Sequence, residues 1–121
     1  MTPDRRALIA YRLERARQAL EEAAVLLDAG HASACVNRLY YACFYAVLGL
    51  LLTQNVSARK HRHVRVLLHR DYIKPGLVSV AMGRHYDLLF NSRQEGDYAD
   101  FAVFEVADVQ PWLEPTRAFV E

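Results

Sequence analysis

The stretch from Asn37 to Leu52, NRLYYACFYAVLGLLL, admits few folds. At about 100° per residue its apolar side chains do not keep to one stripe. Tyr40, Phe44, Val47 and Leu51 fall on one side, and Leu39, Ala42, Ala46 and Leu50 on another. A helix that is apolar over most of its circumference has to be surrounded, so this segment is expected to be the central helix of a bundle or of a dimer. Its apolar run, Leu39 to Leu52, is about fourteen residues, shorter than the roughly 20 needed to cross a bilayer, and reads as a core helix rather than an anchor. One edge is different: Asn37, Tyr41 and Tyr45, spaced by four, put an amide and two phenols on a single strip. Such groups must be hydrogen-bonded or face a cleft, so the strip either ties neighbouring helices together or lines a site.

The rest of the chain supplies the surround. Thr2-Pro3-Asp4 is a helix start, with Thr2 as the cap and Pro3 at the first helical position. The helix is expected to run to about Leu27, with Gly30 ending it. The short link from Gly30 to Ser33 makes the first two helices antiparallel neighbours. Gly49 lets another backbone come close. Thr53 to Ser57 reads as a loop and Ile73-Lys74-Pro75-Gly76 as a turn. A helix is expected from about Leu77 to Phe90, with Val78, Ala81, Leu88 and Leu89 inward and Arg84 and His85 outward. The polar run Asn91 to Tyr98 reads as its end and a loop. In the last segment, Glu105 to Val120, Pro111 sits early enough to be tolerated and Pro115 is expected to kink the helix. No strand-like alternation of useful length occurs, so the expected fold is all-α: an antiparallel bundle of four or five helices, residues 1–121 forming a single domain.

Composition narrows the chemistry. A net charge of +1 carries no argument about nucleic acid, but the local pattern does. Residues 59–74 hold Arg59, Lys60, Arg62, Arg65, Arg70 and Lys74 against Asp71, with His61, His63 and His69 among them. Residues 94–114 hold Glu95, Asp97, Asp100, Glu105, Asp108 and Glu114 and no Lys or Arg. The two segments are natural electrostatic partners, within one subunit or between two. Cys35 and Cys43 lie roughly 12 Å apart along the helix axis, too far to pair. They read as small core residues suited to a reducing cytoplasm. Met1 is not followed by a secretory signal pattern. His61 and His63 point to nearly opposite sides of a helix with no carboxylate or thiol close in sequence, and no phosphate-cradling glycine loop is present, so neither a metal nor a cofactor is expected. What remains suits phosphodiesters or nucleotides: Arg93 and the cations of 59–65 for phosphate, Asn37 and the tyrosines for hydrogen bonding or stacking. Arg93-x-x-x-Asp97-Tyr98 brings a cation, a carboxylate and a phenol together, as a site or as a local salt bridge.

These residues carry a resemblance. The run Ala34-Cys35-Val36-Asn37-Arg38-Leu39-Tyr40-Tyr41-Ala42-Cys43-Phe44-Tyr45-Ala46, then Lys60-His61, Lys74-Pro75-Gly76 and Arg93-x-x-x-Asp97-Tyr98, resembles the HEPN (higher eukaryotes and prokaryotes nucleotide-binding) domain family over nearly the whole chain. The resemblance implies a helical bundle that forms a homodimer, in many cases a ribonuclease-like toxin encoded beside a minimal nucleotidyltransferase that acts as antitoxin. The family's active ribonucleases carry an Arg, four to six residues of any type, then His. Here Arg93 matches, but Tyr98, Ala99 and Asp100 stand where the histidine belongs. By this resemblance Arg93, Asp97 and Tyr98 are the catalytic candidates, Tyr98 matching a tyrosine that accepts a nucleotidyl group in the nucleotidyltransferase-paired branch. Asn37, Arg38, Tyr41, Lys60 and His61 are the nucleotide or RNA ligands. The implied function is a cytoplasmic, toxin-like partner of a nucleotidyltransferase that binds nucleotide or RNA. The alternatives are a metal-independent endoribonuclease, with His61 supplying the imidazole if the fold brings it near Arg93, or a purely structural bundle.

Overall fold

The computed structural model describes the backbone of residues 2–98 and 104–120 and the side chains of 2–93 and 104–120. Helix α1 spans Pro3–Asp28, and its N-cap Thr2 accepts a hydrogen bond from the Arg5 N–H through its hydroxyl at 3.1 Å. Gly30, at φ +83°, takes the left-handed turn that ends the helix, a conformation open to glycine without Cβ strain. Helix α2, Ala32–Thr53, follows at once and packs back along α1. Helix α3, His61–Leu68, runs into a π-helical turn, His69–Ile73. Helix α4 spans Val80–Tyr98. The C-terminal arm is a helix in pieces: α5 (Val106–Val109), a 3-10 turn (Gln110–Trp112) and α6 (Leu113–Val120). Among the described residues there is no strand, and the expected all-α bundle stands.

The central helix is α2, which packs against α1, α3, α4, α5 and α6. Cys35, Leu39, Tyr40, Ala42, Cys43, Val47 and Leu51 are all buried, from several sides of its circumference. At 22 residues α2 is long and apolar enough to cross a membrane by length and composition, but two thirds of its apolar window is buried in the bundle, as a core helix is. Both cysteines are free and buried; burial alone raises the Cys35 thiol pKa to about 11 and pushes that of Cys43 higher still. Neither is a poised nucleophile.

Three expectations change. Asn91 to Tyr98 is not a loop; α4 continues through it. Ser92, within that run, is buried, and a single Gly96 costs a helix only about 1 kcal/mol. In α4 the inward residues are Tyr86, Leu89 and Phe90, whereas Leu88 is 39% exposed and Ala81 is exposed. At the C-terminus the break falls at Pro111 rather than Pro115. Pro111 lies within the 3-10 turn, and Pro115 lies in the first turn of α6, where its missing N–H would have had no helical partner.

One close approach helps place the basic segment. A Cβ on Gly83 would meet Ile73 Cδ1 at 2.5 Å and His69 Cε1 at 3.3 Å, so the bare position lets the π-helical turn pack onto α4 with Ile73 and His69 as they stand. From there His69 Nε2 and Arg65 Nε both reach Asp87 Oδ1, at 2.9 and 2.8 Å. Apart from Asp71, which pairs with Arg70 inside the segment, the described acidic partner of the basic segment is Asp87, upstream of the acidic block. Within that block Glu114 pairs locally with Arg117, and Glu105 and Asp108 are exposed.

Candidate functional site

Three helices bring their polar groups together at the N-terminal half of α2. That helix contributes Asn37, Arg38, Tyr40, Tyr41 and Phe44; α3 contributes its first residue, His61; α4 contributes Arg93. The rings form one cluster. His61 stacks on Phe44 with centroids 4.4 Å apart and planes 27° from parallel, and it meets Tyr41 edge-on at 5.8 Å. Tyr40 lies against Tyr41, Phe44, Tyr86 and Phe90.

Two guanidinium groups sit over this cluster. Arg93 lies 5.2 Å from the Tyr40 ring centroid and 5.4 Å from that of Tyr41, and its Nη2 donates to Tyr41 Oη at 3.5 Å. Arg38 lies 4.9 Å from the Tyr41 centroid and donates from Nε and Nη2 to Asn37 Oδ1 at 3.1 and 2.8 Å. Glu22 of α1 approaches Arg38 at 3.9 Å. Cation–π contact and fixed hydrogen bonds hold both arginines as oriented forks, the geometry that suits a phosphate or carboxylate.

The cluster's one imidazole is tied inward. His61 Nδ1 and Tyr40 Oη are 2.7 Å apart, and Tyr40 is fully buried. Burial, and secondarily the charge of Arg93, lower the His61 pKa, so the ring is neutral at pH 7. Burial raises the Tyr40 phenol pKa to about 12, so it keeps its proton.

The structure thus joins Asn37, Arg38, Tyr41, His61 and Arg93 of the sequence-derived set. Lys60 precedes α3 as its cap residue and is exposed, beside the cluster in sequence and not packed within it. Asp97 and Tyr98 continue the backbone of α4, one turn beyond Arg93, and their side chains lie outside the described residues. The strip read as Asn37, Tyr41 and Tyr45 divides. Tyr45 Oη accepts from Arg15 Nη2 at 3.2 Å and its ring carries the Arg15 guanidinium, which ties α2 to α1. Sequence reasoning placed Tyr40 among the apolar residues; the signal for it is a phenol at a position where a phenylalanine fills the same space, since a buried hydroxyl needs a partner. It also missed Asp87. Next to the cluster, Arg62, Arg65, His69, Arg70, Lys74 and Asn91 rim an open groove of about 860 Å³ floored by Phe90, with Arg65 4.8 Å from the Phe90 centroid. Among the described residues no group of three His, Cys, Asp or Glu side chains is placed to hold a metal ion.

Comparison with known proteins places the chain in a family. The family model for the HEPN domain matches residues 9–121. A UPF0332 protein of Thermotoga maritima is 35% identical over 118 residues, 98% of this chain and 89% of the relative. Two Methanocaldococcus jannaschii proteins also match: "Putative toxin MJ0142", 31% identical over 71% of this chain and 58% of its own length, and "Putative toxin MJ0605", 30% identical over 81% and 73%. With the match extending over nearly the whole length and through every helix that builds the cluster, the chain belongs to the HEPN domain family.

Proposed function

We propose that this chain is a toxin-like HEPN protein that binds RNA or a nucleotide at the Asn37–Tyr41–His61–Arg93 cluster. It acts as a cytoplasmic homodimer and pairs with a minimal nucleotidyltransferase. The observation that carries the reading is the convergence of Arg93 and Arg38 on the face of Tyr41 beside a neutral imidazole, with the cationic groove of α3 leading up to it. The names of the two M. jannaschii relatives support the toxin-like part. Exposed apolar side chains, among them Tyr11, Val25, Val66 and Val80 on helices and Leu77 before α4, support a partner surface. Binding to a short single-stranded RNA, followed at rising salt, is expected to weaken steeply, and to weaken again on replacing Arg59, Lys60 and Arg62 together. Salt-independent binding, or none, would overturn it.

A second reading, a metal-independent endoribonuclease using Arg93, Asp97 and His61, is favoured by the packing of His61 and Arg93 against the same Tyr40 and Tyr41 rings, with His61 standing in for the histidine that the motif lacks. If it holds, Arg93→Ala abolishes RNA cleavage with helical content intact; equal cleavage by both proteins sinks it.

A further inference from the structure

Helix α3 carries two patterns at once. Val64, Leu67 and Leu68 are buried and dock it on the bundle. Arg62, Arg65, Val66, His69 and Ile73 recur at helical spacing and line the open groove, to which α4 adds Phe90 and Asn91. The cations of this groove differ in what holds them. Arg65 Nε and His69 Nε2 share Asp87 Oδ1, at 2.8 and 2.9 Å, and Arg70 donates to both oxygens of Asp71, at 2.8 and 3.1 Å. Arg62 and Lys74 pair with no carboxylate among the described residues. They stand at the two ends of one continuous helical stretch, roughly 18 Å apart along its axis by the α-helical rise. That spacing suits separate anionic groups of one extended ligand better than a single phosphate, which would draw both side chains out to full length.

Between those ends lies a flat element. The Arg65 guanidinium sits 4.8 Å from the centroid of the Phe90 ring, and Asp87 holds it at Nε. Phe90 is buried beneath it, yet the Arg65 side chain is 36% exposed, so the guanidinium is backed on one side and open on another. A guanidinium fixed in this way offers a π-surface with little freedom left to lose, and it stacks a planar ring as a lysine in its place would not. Val66, 55% exposed, and Ile73 extend the apolar ground beside it. An acidic protein segment would gain the charge contacts here and nothing from the stack. A nucleobase gains both, with its ring on Arg65 and its flanking phosphates on the cations to either side. A base paired within a duplex is already stacked on its neighbours and cannot use it.

We propose that the α3 groove is a strand-tracking site, along which a single-stranded polynucleotide lies with one unpaired base stacked on Arg65 and its flanking phosphates on Arg62 and Lys74. Asn91, exposed in the groove, offers its amide to the edge of that base. The ligand is then a strand rather than a mononucleotide, and part of its affinity lies outside the Arg93 cluster. Asp87 and Phe90 are positioning residues. The inference rests on the reading of this protein as an RNA or nucleotide binder and assigns the form of that ligand. RNA and DNA strands share this chemistry.

The test is fluorescence anisotropy of a short, end-labelled single-stranded RNA over a range of salt, beside an abasic strand of equal length and charge and a duplex of the same sequence. The RNA is expected to bind about tenfold more tightly than the abasic strand, and Arg65→Lys, with helical content checked by circular dichroism, to remove that advantage while keeping the charge. Arg62→Ala combined with Lys74→Ala touches two exposed side chains and is expected to flatten the log–log salt slope by about 1.4, at about 0.7 for each cation lost. Equal binding of the abasic strand or the duplex, an unchanged slope, or displacement by polyglutamate as effective as by unlabelled RNA overturns the proposal. A DNA strand with the same Arg65 dependence upholds the site for both sugars, and one that binds weakly upholds it for RNA alone. Arg38→Ala separates this proposal from the function on which it rests. Binding lost in Arg38→Ala but intact in the groove variants overturns the groove and leaves the cluster standing; the opposite pattern overturns the cluster and leaves the groove. No binding of any strand overturns both.

Discussion

Two histidines of this bundle make the same contact in different settings. His61 and His85 each place one ring nitrogen 2.7 Å from the hydroxyl of a buried residue, Tyr40 and Thr116, and burial lowers the pKa of both. The difference lies in what the hydroxyl does next. Thr116 donates its single proton to the Trp112 carbonyl at 2.7 Å, so it can only accept from His85, whose Nε2–H therefore points inward. Tyr40 has no carbonyl acceptor among the described residues, so its proton is not committed elsewhere as that of Thr116 is. A second hydrogen bond, one residue further on, thus separates an imidazole that locks α4 to α6 from one that joins α3 to α2 at the edge of the aromatic cluster. Distance from the partner does not distinguish them, and the proton count does.

The comparison can be broken at its core end first. Tyr86→Ala removes a fully buried ring that packs on Tyr40 and Phe119; by analogy with other aromatic truncations it is expected to cost about 3–5 kcal/mol in urea unfolding. A loss under 1 kcal/mol would mean that the core behind the site collapses freely. Thr116→Val keeps the shape but strands the His85 N–H, and a destabilisation of about 1–3 kcal/mol is expected. No loss would show that His85 turns to water and that the inward lock is not what holds α6. Tyr40→Phe should cost less, about 0.5–1.5 kcal/mol, because half-buried His61 can take a water in place of the phenol. A cost above that of Thr116→Val would reverse the assignment of structural and site histidine.

The smallest effect is on pH dependence. Both imidazoles are held neutral in the fold, and each takes up a proton on unfolding once the pH falls below the ordinary histidine value of about 6.5. The unfolded chain then binds more protons, so stability is present above that pH and declines as acid is added. Melting temperatures between pH 7.5 and 5 are expected to fall, and to fall less in His85→Gln. A rise in melting temperature toward acid would contradict the downward shifts.

Much of this was legible in the sequence, for identifiable reasons. The all-round apolarity of Asn37 to Leu52 permits one place in a bundle, and Thr2, Pro3 and Gly30 bound the first helix by chemistry that acts within one turn. Arg93 and Tyr41 were each picked out by motif and spacing, and the fold brings them together from a continuous helix rather than a loop. What the sequence hid depends on tertiary pairing. Tyr40 looks apolar until His61 is brought 2.7 Å from its hydroxyl. Asp87 looks like one surface charge among many until Gly83 lets the π-helical turn down onto α4. Tyr41 and Tyr45 share a strip, and only the neighbour each one meets, Arg93 or Arg15, separates site from tie.

The π-helical turn His69–Ile73 has a consequence of its own. Its wide ring, closed by the Lys74 N–H on the His69 carbonyl at 2.8 Å, holds one residue more than an α-turn in the same place. The turn is therefore a phase adjuster: it lets Tyr72 face the core while Ile73 seats over Gly83, and it confines the extra residue to a few positions. Loss of one residue there would return the turn to ordinary helix and leave the aromatic cluster in register. The same loss inside α2 would rotate every residue beyond it by about 100° and dismantle the site. Change in chain length is thus tolerable beside the cationic groove and forbidden in the helix that carries the tyrosines.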